Sequence, residues 1–525
     1  MTSRHIYLTT TIPYVNARPH LGHALEYVQA DVLARHRRRR GDLVRFQTGT
    51  DDNSLKNVLA ADAAGVGVRE FVDANAAAFV ALAGPLSLSA DDVIRTSSDP
   101  RHRVGVERLW RACAGAGDLY RRHYEGLYCV GCEAFYAEGE LDRGLCPEHG
   151  VPPQRVAEEN WFFRLSRYAG RLREEIAAGR LRIEPAGRRN EVLAFLEAGL
   201  ADFSVSRSTA RAHGWGIPVP GDPGQVIYVW FDALGNYLTA LGYGSADADL
   251  DRWWTRADCR IHLLGKGVLR FHAVCWPAIL ASAGLPLPTD ILVHDYLTVE
   301  GRKISKSGGT TVDPAALVAD YGTDAVRWWL LREVPRIGDA DFTRERLVAR
   351  ANDELANGIG NLVSRVLALV GRYRDGVVPA VRALPPGADA LADARGKAPG
   401  QVEAALAVGD FRQATAAVWS IAAEANRYIS QARPWRLAAA ERDGDRQAGR
   451  ELDAVLACLV GTCKDLAGQL GPFLPDAAER IALRCADPAG LAPSAWPVFP
   501  RLPPAAKAAM AARTGGRRGP LDSRA

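Results

Sequence analysis

Two short basic signatures, far apart in the chain, carry the clearest chemistry. His20-Leu21-Gly22-His23 lies near the start, and Lys303-Ile304-Ser305-Lys306-Ser307 lies past the middle. Upstream of the first, Ile6-Tyr7-Leu8-Thr9-Thr10-Thr11 has the composition of a buried strand. Pro13 ends it, and Leu21 to Arg35 carries apolar residues at helical spacing. His20 and His23 therefore sit where a strand gives way to a helix. There the dipole and the first N–H groups favour anions, Gly22 admits close approach to the backbone, and residues three apart share a face. This is a phosphate cradle. The two lysines, three apart in a Ser- and Gly-rich loop ending in Gly308-Gly309, add mobile positive charge suited to a polyphosphate. Taken singly, the first signature is more often a turn before a helix, and the second a solvated loop.

A second constellation has metal-ligand spacing. Cys129 and Cys132 have two residues between them, and after thirteen intervening residues Cys146 and His149 repeat that spacing. Two close pairs of soft or borderline ligands on turn-like segments match a closed tetrahedral zinc knuckle. With a protein ligand at every position no place is open to water or substrate, so the expected role is structural, stabilising an insertion with little core of its own. Cys113, Cys259, Cys275, Cys458, Cys463 and Cys485 read as buried thiols.

These residues need a frame. A length of 525 residues is too great for one core and points to three or four domains. Apolar content of 48% and charged content of 24% suit a soluble globular protein. No run of about 18 apolar residues and no signal-peptide pattern occurs, so a cytoplasmic protein without a membrane role is expected. Nine cysteines, mostly scattered, fit a reducing compartment. A net charge of +4 is too small to establish nucleic-acid binding, and the basic run from Arg35 to Arg40 is as readily a solvated helix end as an RNA contact. Strand-like runs at Gln225 to Phe231, Ile261 to Leu264 and Ile291 to Val293, with helical stretches such as Arg270 to Ser282, continue the early strand–helix alternation as one sheet split by an insertion. Later stretches are helical and rich in Ala and Leu. Gly376 to Gly400 reads as a long connection, and the chain after Pro500 as a disordered tail. Neither a Gly-x4-Gly-Lys-Ser/Thr loop nor a G-x-G-x-x-G with an acidic partner is present, against a P-loop ATPase or a dehydrogenase.

In this order, on either side of a large insertion, the two basic signatures resemble those of class I aminoacyl-tRNA synthetases. Further stretches narrow the resemblance to the methionyl-tRNA synthetase family, from Tyr7 to about Pro500. They are TIPYVNARPHLGH at 11–23, TGTDD at 48–52, EENWFFRLSRY at 158–168, WGIPVP at 215–220, YVWFDAL at 228–234, FHAVCWPAIL at 271–280 and KISKS at 303–307. The resemblance implies an α/β fold with a class I Rossmann-type catalytic domain around a parallel sheet, in halves at 1–115 and 211–300. It also implies a connective insertion with the zinc knuckle at 116–210, a stem-contact region with the KISKS loop at 301–345, a C-terminal α-helical anticodon-binding bundle at 346–500 and a tail at 501–525. The implied activity joins L-methionine to ATP, giving methionyl-adenylate and pyrophosphate, then passes methionine to the 3′ end of initiator and elongator tRNA(Met), releasing AMP. Mg2+ accompanies ATP, one structural Zn2+ sits in the knuckle, and a monomer is expected because some relatives dimerise through an extra C-terminal module.

By the same resemblance His20, Gly22, His23, Lys303, Ser305, Lys306 and Ser307 serve ATP. Asp51 would meet the substrate ammonium, although a helix N-cap is its plainer reading. Ile12, Tyr14, Trp230, Ala233, Leu234, Tyr237 and His272 would line the slot for the thioether, which needs apolar and aromatic walls. Unaided, Trp230 and Tyr237 read as core aromatics and His272 as a satisfied core histidine. Asn357, Asn361 and Arg365 recur every four residues as a polar stripe beside Leu355, Ile359, Leu362 and Val366. With Trp435 they match anticodon-reading positions; amide and guanidinium groups read base edges and an exposed indole stacks on an unpaired base.

Two departures touch the site. Where the family usually has Thr-Asp-Glu-His-Gly, this chain has Thr50-Asp51-Asp52-Asn53-Ser54, and where it has Gly-Lys-Asp this chain has Gly265-Lys266-Gly267. The second removes a carboxylate that by resemblance contacts the ATP ribose, a bond worth roughly 1.5–3 kcal/mol if nothing replaces it. A catalytically weak RNA-binding paralogue and a class I synthetase for another apolar amino acid are the rival readings. The retained His20, His23, Lys303 and Lys306 favour the enzyme; the aromatic slot and the lack of a large editing insertion speak against leucine, isoleucine or valine.

Overall fold

The computed structural model of the protein describes residues 3–131, 134–147, 150–245, 248–303, 311–486 and 497–504. The chain forms two compact units. One is built from residues up to Pro19, Arg37–Ala83 and Leu88–His294; the other from His20–His36, Gly84–Ser87 and the chain from Asp295 onward.

In the first unit six strands make a wholly parallel sheet. Their spatial order is Asp92–Arg95, Leu43–Thr50, His5–Thr10, Cys259–Gly265, Asp290–His294 and Arg182–Glu184. Residues 6–10 are buried without alternation, as a strand covered on both faces requires, with apolar Ile6-Tyr7-Leu8 followed by buried Thr9 and Thr10. The order reverses between His5–Thr10 and Cys259–Gly265, paired in register from Ile6↔Cys259 to Thr10↔Leu263. In open α/β sheets such a reversal leaves a crevice at the carboxyl ends of the strands, where ligands bind.

Two expectations about this sheet change. Gln225 to Phe231 is not one of its strands. Asp222–Ile227 pairs antiparallel in a separate three-stranded sheet, and after Tyr228 the chain turns into the helix Val229–Leu234. A short apolar run does not distinguish a strand from a buried helical turn. Arg182–Glu184, inside the segment read as insertion, is an edge strand of the main sheet, too short at three residues to carry a pattern. The insertion itself has a four-stranded antiparallel sheet ordered Ala134–Tyr136, Leu119–Cys129, Gln154–Phe163 and Phe203–Ser204. The helix Pro100–Gly115 packs so tightly on Asn236–Thr239 that a Cβ at Gly105 would lie 2.4 Å from Thr239 Cγ2 and from the Tyr243 carbonyl.

The second unit joins a small sheet, Arg302–Lys303, Leu297–Val299 and Ala340–Phe342, to a set of helices. The segment Gly376 to Gly400 is only partly a connection, since a helix runs from Asp389 to Leu406 through Pro399. Burial of Leu391, Ala398, Val402 and Leu406 along one face outweighs the local cost of the proline. The first residues after Pro500 are also anchored: Asn352 Nδ2 donates to the Leu502 carbonyl at 3.0 Å and Asn352 Oδ1 accepts its N–H at 2.8 Å.

A buried ion pair ties the unit together. The Asp31 carboxylate accepts from Arg35 and from Arg327, each at 2.8 Å, and Arg327 and Asp31 are fully buried. Arg327 also donates to the carbonyls of Phe473, Leu86 and Pro472, so its charge is solvated by protein, while burial lowers its pKa. Removing one partner leaves the other charge stranded. Arg327→Met is expected to cost about 3–5 kcal/mol in urea unfolding, with the Asp31→Asn/Arg327→Met double variant losing less than the sum; additive losses would reject the pair as the cause.

Candidate functional site

Several predicted pocket residues lie just past the carboxyl ends of the parallel strands. Ile12 and Tyr14 follow His5–Thr10, Asp51 follows Leu43–Thr50, and His272 follows Cys259–Gly265. Tyr14 and Asp51 form a parallel β-bridge, and the Asp51 N–H donates to the Pro13 carbonyl at 2.9 Å, so the two strand exits are held together. Asp51 is not the helix N-cap its plainer reading suggests: Ser54 caps Leu55–Ala64, its hydroxyl accepting from Lys56 N–H at 3.0 Å.

The aromatic wall is shared among four elements. Ile12, Tyr14 and Trp230 pack with Phe203 against Tyr228, Val229 and Ala233 as a small cluster, which Trp230 and Phe203 join to the main core. The Tyr14 and Trp230 rings meet edge to face at 6.3 Å, and Trp230 stacks on Phe271 at 3.7 Å. Trp230 Nε1 is buried and has no hydrogen-bond partner among the described residues. Tyr237 and His272 are joined at 2.8 Å, and His272 Nδ1 lies 2.9 Å from the Val268 carbonyl. A carbonyl only accepts, so Nδ1 carries the proton and Nε2 accepts from the Tyr237 hydroxyl. Leu234, by contrast, belongs to the main core beneath this wall. Sequence reasoning missed Phe271, on the same helical segment as His272, and Lys56, whose ammonium lies 4.3 Å from the Tyr14 ring centre.

Beneath Tyr237, His262 accepts from Trp276 Nε1 at 3.2 Å and therefore donates through Nδ1 to Thr9 Oγ1 at 2.7 Å. Burial above all, then the nearby His272 and Arg260, holds its pKa well below the ordinary 6.5.

In the second unit the first basic signature folds on itself. His20 N–H donates to His23 Nδ1 at 3.0 Å and the two imidazoles stack at 3.7 Å. With Nδ1 accepting, the proton of a neutral His23 is on Nε2, the form that donates to an anion. Gly22 admits the His20 ring, for a Cβ there would lie 3.0 Å from the imidazole. Lys303 ends the strand Arg302–Lys303, paired with Thr298; Ser305, Lys306 and Ser307 lie outside the described residues. Two arginines of the basic helix end have structural partners: Arg35 holds Asp31 and the Ser87 carbonyl, and Arg38 holds Ser89 and Asp91.

Asn357, Asn361, Arg365 and Trp435 also lie in this unit. Leu355, Ile359, Leu362 and Val366 are buried, while Asn357 and Asn361 are exposed. Asn357 lies on a π-helical stretch, Ala351–Gly360, that runs into the helix Asn361–Arg374. The Arg365 guanidinium sits 5.5 Å from the Trp435 ring, and Trp435 is 40% exposed. Arg433 places that indole by adopting a left-handed conformation, φ 47°, between the end of Phe411–Ala432 and Pro434. Of the knuckle ligands, Cys129 and Cys146 are buried, while Cys132 and His149 lie outside the described residues. Among the described residues no three His, Cys, Asp or Glu side chains gather as a metal site.

A parallel sheet of this order, with an antiparallel insertion before its later strands and a helical C-terminal region, defines a class I aminoacyl-tRNA synthetase. The family model for tRNA synthetases class I (M) matches residues 6–158 and 149–367. The methionine–tRNA ligase of Clostridium perfringens is 40% identical over 482 residues, covering 92% of this chain and 73% of its own. That of Mycobacterium bovis is 41% identical over 484 residues, covering 90% and 91%. The structure of Mycobacterium tuberculosis methionyl-tRNA synthetase in complex with methionyl-adenylate superposes with a TM-score of 0.87 at 38% identity, covering 94% of this chain and 99% of that one. The chain belongs to the methionyl-tRNA synthetase family, and its activity is methionine–tRNA ligation.

His262 generates a pH prediction. Its folded pKa is depressed, so below pH 6.5 the unfolded chain takes up a proton that the native chain refuses. Stability is then lost as pH falls, at a slope of about 1.4 kcal/mol per pH unit from this group. Urea unfolding between pH 7.5 and 5.5 is expected to show a shallower decline in His262→Gln than in the parent; equal declines would show that His262 does not titrate this way.

Proposed function

We propose that Asp51 and the Ile12–Tyr14–Trp230–Ala233 cluster bind L-methionine, that Leu234, Tyr237 and His272 complete the side-chain slot, and that His20, Gly22, His23, Lys303, Ser305, Lys306 and Ser307 bind ATP. The bridge between Tyr14 and Asp51 carries this reading, because it fixes a carboxylate for the substrate ammonium beside an aromatic wall for its thioether. A methionine carboxylate oxygen attacks the ATP α-phosphorus, the bond to pyrophosphate breaks, and the anhydride methionyl-adenylate remains. The two histidines and the two lysines stabilise charge on the phosphates, largely by positioning. Mg2+ bound with ATP neutralises further phosphate charge. The 2′-hydroxyl of the terminal tRNA ribose, by class I analogy, then attacks the methionyl carbonyl and AMP leaves.

Asn357, Asn361, Arg365 and Trp435 read the anticodon of initiator and elongator tRNA(Met). The exposed amides and the indole backed by Arg365 suit unpaired bases. Cys129, Cys132, Cys146 and His149 hold one structural zinc; two buried thiols on a turn-rich insertion suit that role. The enzyme works as a monomer in the cytoplasm. Asn53 and Ser54, in place of the family's usual His-Gly, have local partners that account for them: Ser54 caps a helix and Asn53 donates to Asp232.

ATP–pyrophosphate exchange across a panel of amino acids tests the reading. Methionine is expected to support exchange far above leucine, isoleucine or valine, and no exchange with methionine would overturn the assignment. In Trp435→Ala, exchange should stay within about twofold while charging of tRNA(Met) falls about five- to 150-fold, the loss of a base stack of about 1–3 kcal/mol. For the knuckle, one zinc per chain is expected by metal analysis and less than half of that in Cys146→Ala; a zinc-free parent would reject the site.

A further inference from the structure

Asp232 is a fully buried carboxylate that the reaction does not use. Its Oδ1 lies 2.5 Å from His102 Nε2, and its Oδ2 accepts from Asn53 Nδ2 at 2.7 Å. His102, itself fully buried on the helix Pro100–Gly115, is held on its other nitrogen by Thr239 Oγ1 at 2.9 Å. A buried charge is tolerated only when hydrogen-bonded on its free lone pairs, and here the two groups that hold it, His102 and Asn53, come from separate elements, with Thr239 on a third holding His102.

Their positions matter more than their number. Asp232 lies between Trp230 and Ala233 on the helix Val229–Leu234, which supplies the side-chain wall. Asn53 lies two residues after Asp51. The loop is also held elsewhere: Asn57 Nδ2 donates to the carbonyls of Asp51 and Asp52, the Asp52 carboxylate is gripped by Thr50, Ser97 and Arg95, Asn53 Nδ2 also donates to the Thr96 carbonyl at 3.3 Å, and Trp215 Nε1 donates to the Asp52 carbonyl at 2.8 Å. The Asn53–Asp232 bond therefore spans from the ammonium-binding loop to the thioether-binding helix, and His102 keeps the carboxylate from turning away.

We propose that Asn53 is a positioning residue that sets the distance between the Asp51 carboxylate and the Trp230 wall, and through it the length of amino-acid side chain the pocket accepts. Asp232 and His102 are its anchor. The proposal rests on the methionine-pocket reading above. An amide is the right group here. It donates to Asp232 without adding a charge beside Lys56 and Asp51, and a carboxylate in its place would face Asp232 oxygen to oxygen.

The test is ATP–pyrophosphate exchange with methionine, homocysteine and ethionine, whose side chains differ in length, in the parent, Asn53→Ala, Asn53→Asp and the reversed pair Asn53→Asp/Asp232→Asn. Exchange by the parent with methionine is the reference; its absence would remove the pocket reading itself. Given that exchange, Asn53→Ala is expected to raise the methionine KM about tenfold or more with the ATP KM within twofold, and to change the kcat/KM ratios among the three amino acids by at least threefold. Asn53→Asp should be worse than Asn53→Ala. The reversed pair should recover at least tenfold over Asn53→Asp, since the amide then on the helix donates to the carboxylate then on the loop and still accepts from His102. Unchanged ratios among the three amino acids, or a reversed pair no better than Asn53→Asp, would overturn the proposal while leaving the pocket reading in place. Circular dichroism and melting of each variant identify loss by unfolding, which would depress all three amino acids equally.

Discussion

The pairing of His5–Thr10 with Cys259–Gly265 is the contact on which the first unit depends. The partners are about 250 residues apart in sequence yet matched residue for residue, Ile6 to Cys259 onward. Everything between them has to leave and return without disturbing that register, so the insertion builds its own antiparallel sheet and rejoins through the edge strand Arg182–Glu184. Because the strand order reverses at this pair, neighbouring connections depart to opposite sides and open a crevice there. Ile12, Tyr14, Asp51 and His272 stand beyond strand ends around that reversal, and their proximity is a property of topology before it is one of chemistry.

Polar groups buried behind the pocket make its geometry rigid. Thr9, His262 and Trp276 share one hydrogen-bonded line, Tyr237 and His272 another, and Tyr7 donates to the Tyr237 carbonyl at 3.0 Å. A neutral His262 suits this place. Its two nitrogens are used by one donor and one acceptor, so the ring is satisfied without charge, and burial keeps it uncharged. The second unit follows the same rule with charge retained: Arg327 and Asp31 are both buried, and carbonyl groups complete the guanidinium's bonds. In each case the fixed polar line locks rotamers that apolar packing alone would leave adjustable.

Much of this was legible in sequence where a pattern is long or a motif is dense. The strand at residues 6–10 follows from its composition, the strands near Ile261 and Ile291 from short apolar runs, and the apolar seam of Leu355, Ile359, Leu362 and Val366 from periodicity. The site was legible only through motif order, since Trp230 and His272 look locally like core residues. The failures have physical causes. Tyr228 to Phe231 reads as strand because its aromatics suit either state, and tertiary packing makes it a helical turn; Arg182–Glu184 is too short for a period; and the helix through Pro399 is held by a buried face that composition does not reveal. The Asn53–Asp232–His102 line has no sequence signal, because its members are far apart and each is an ordinary polar residue where it stands.

Methionine is a demanding substrate for such a scaffold. Its thioether offers no strong hydrogen bond, and one methylene more or less in an apolar slot is worth only about 1–3 kcal/mol. Discrimination therefore depends on holding the ammonium and the side-chain wall at a fixed separation, so that a shorter chain leaves a void and a longer one collides. A pocket free to relax would forfeit that difference. In this chain the loop after Leu43–Thr50 and the helix Val229–Leu234 are separate elements, and the buried carboxylate of Asp232 joins them through Asn53. Asn53 in place of the family's usual histidine keeps a donor at that junction, and its amide–carboxylate bond to Asp232 does not depend on the protonation of residue 53.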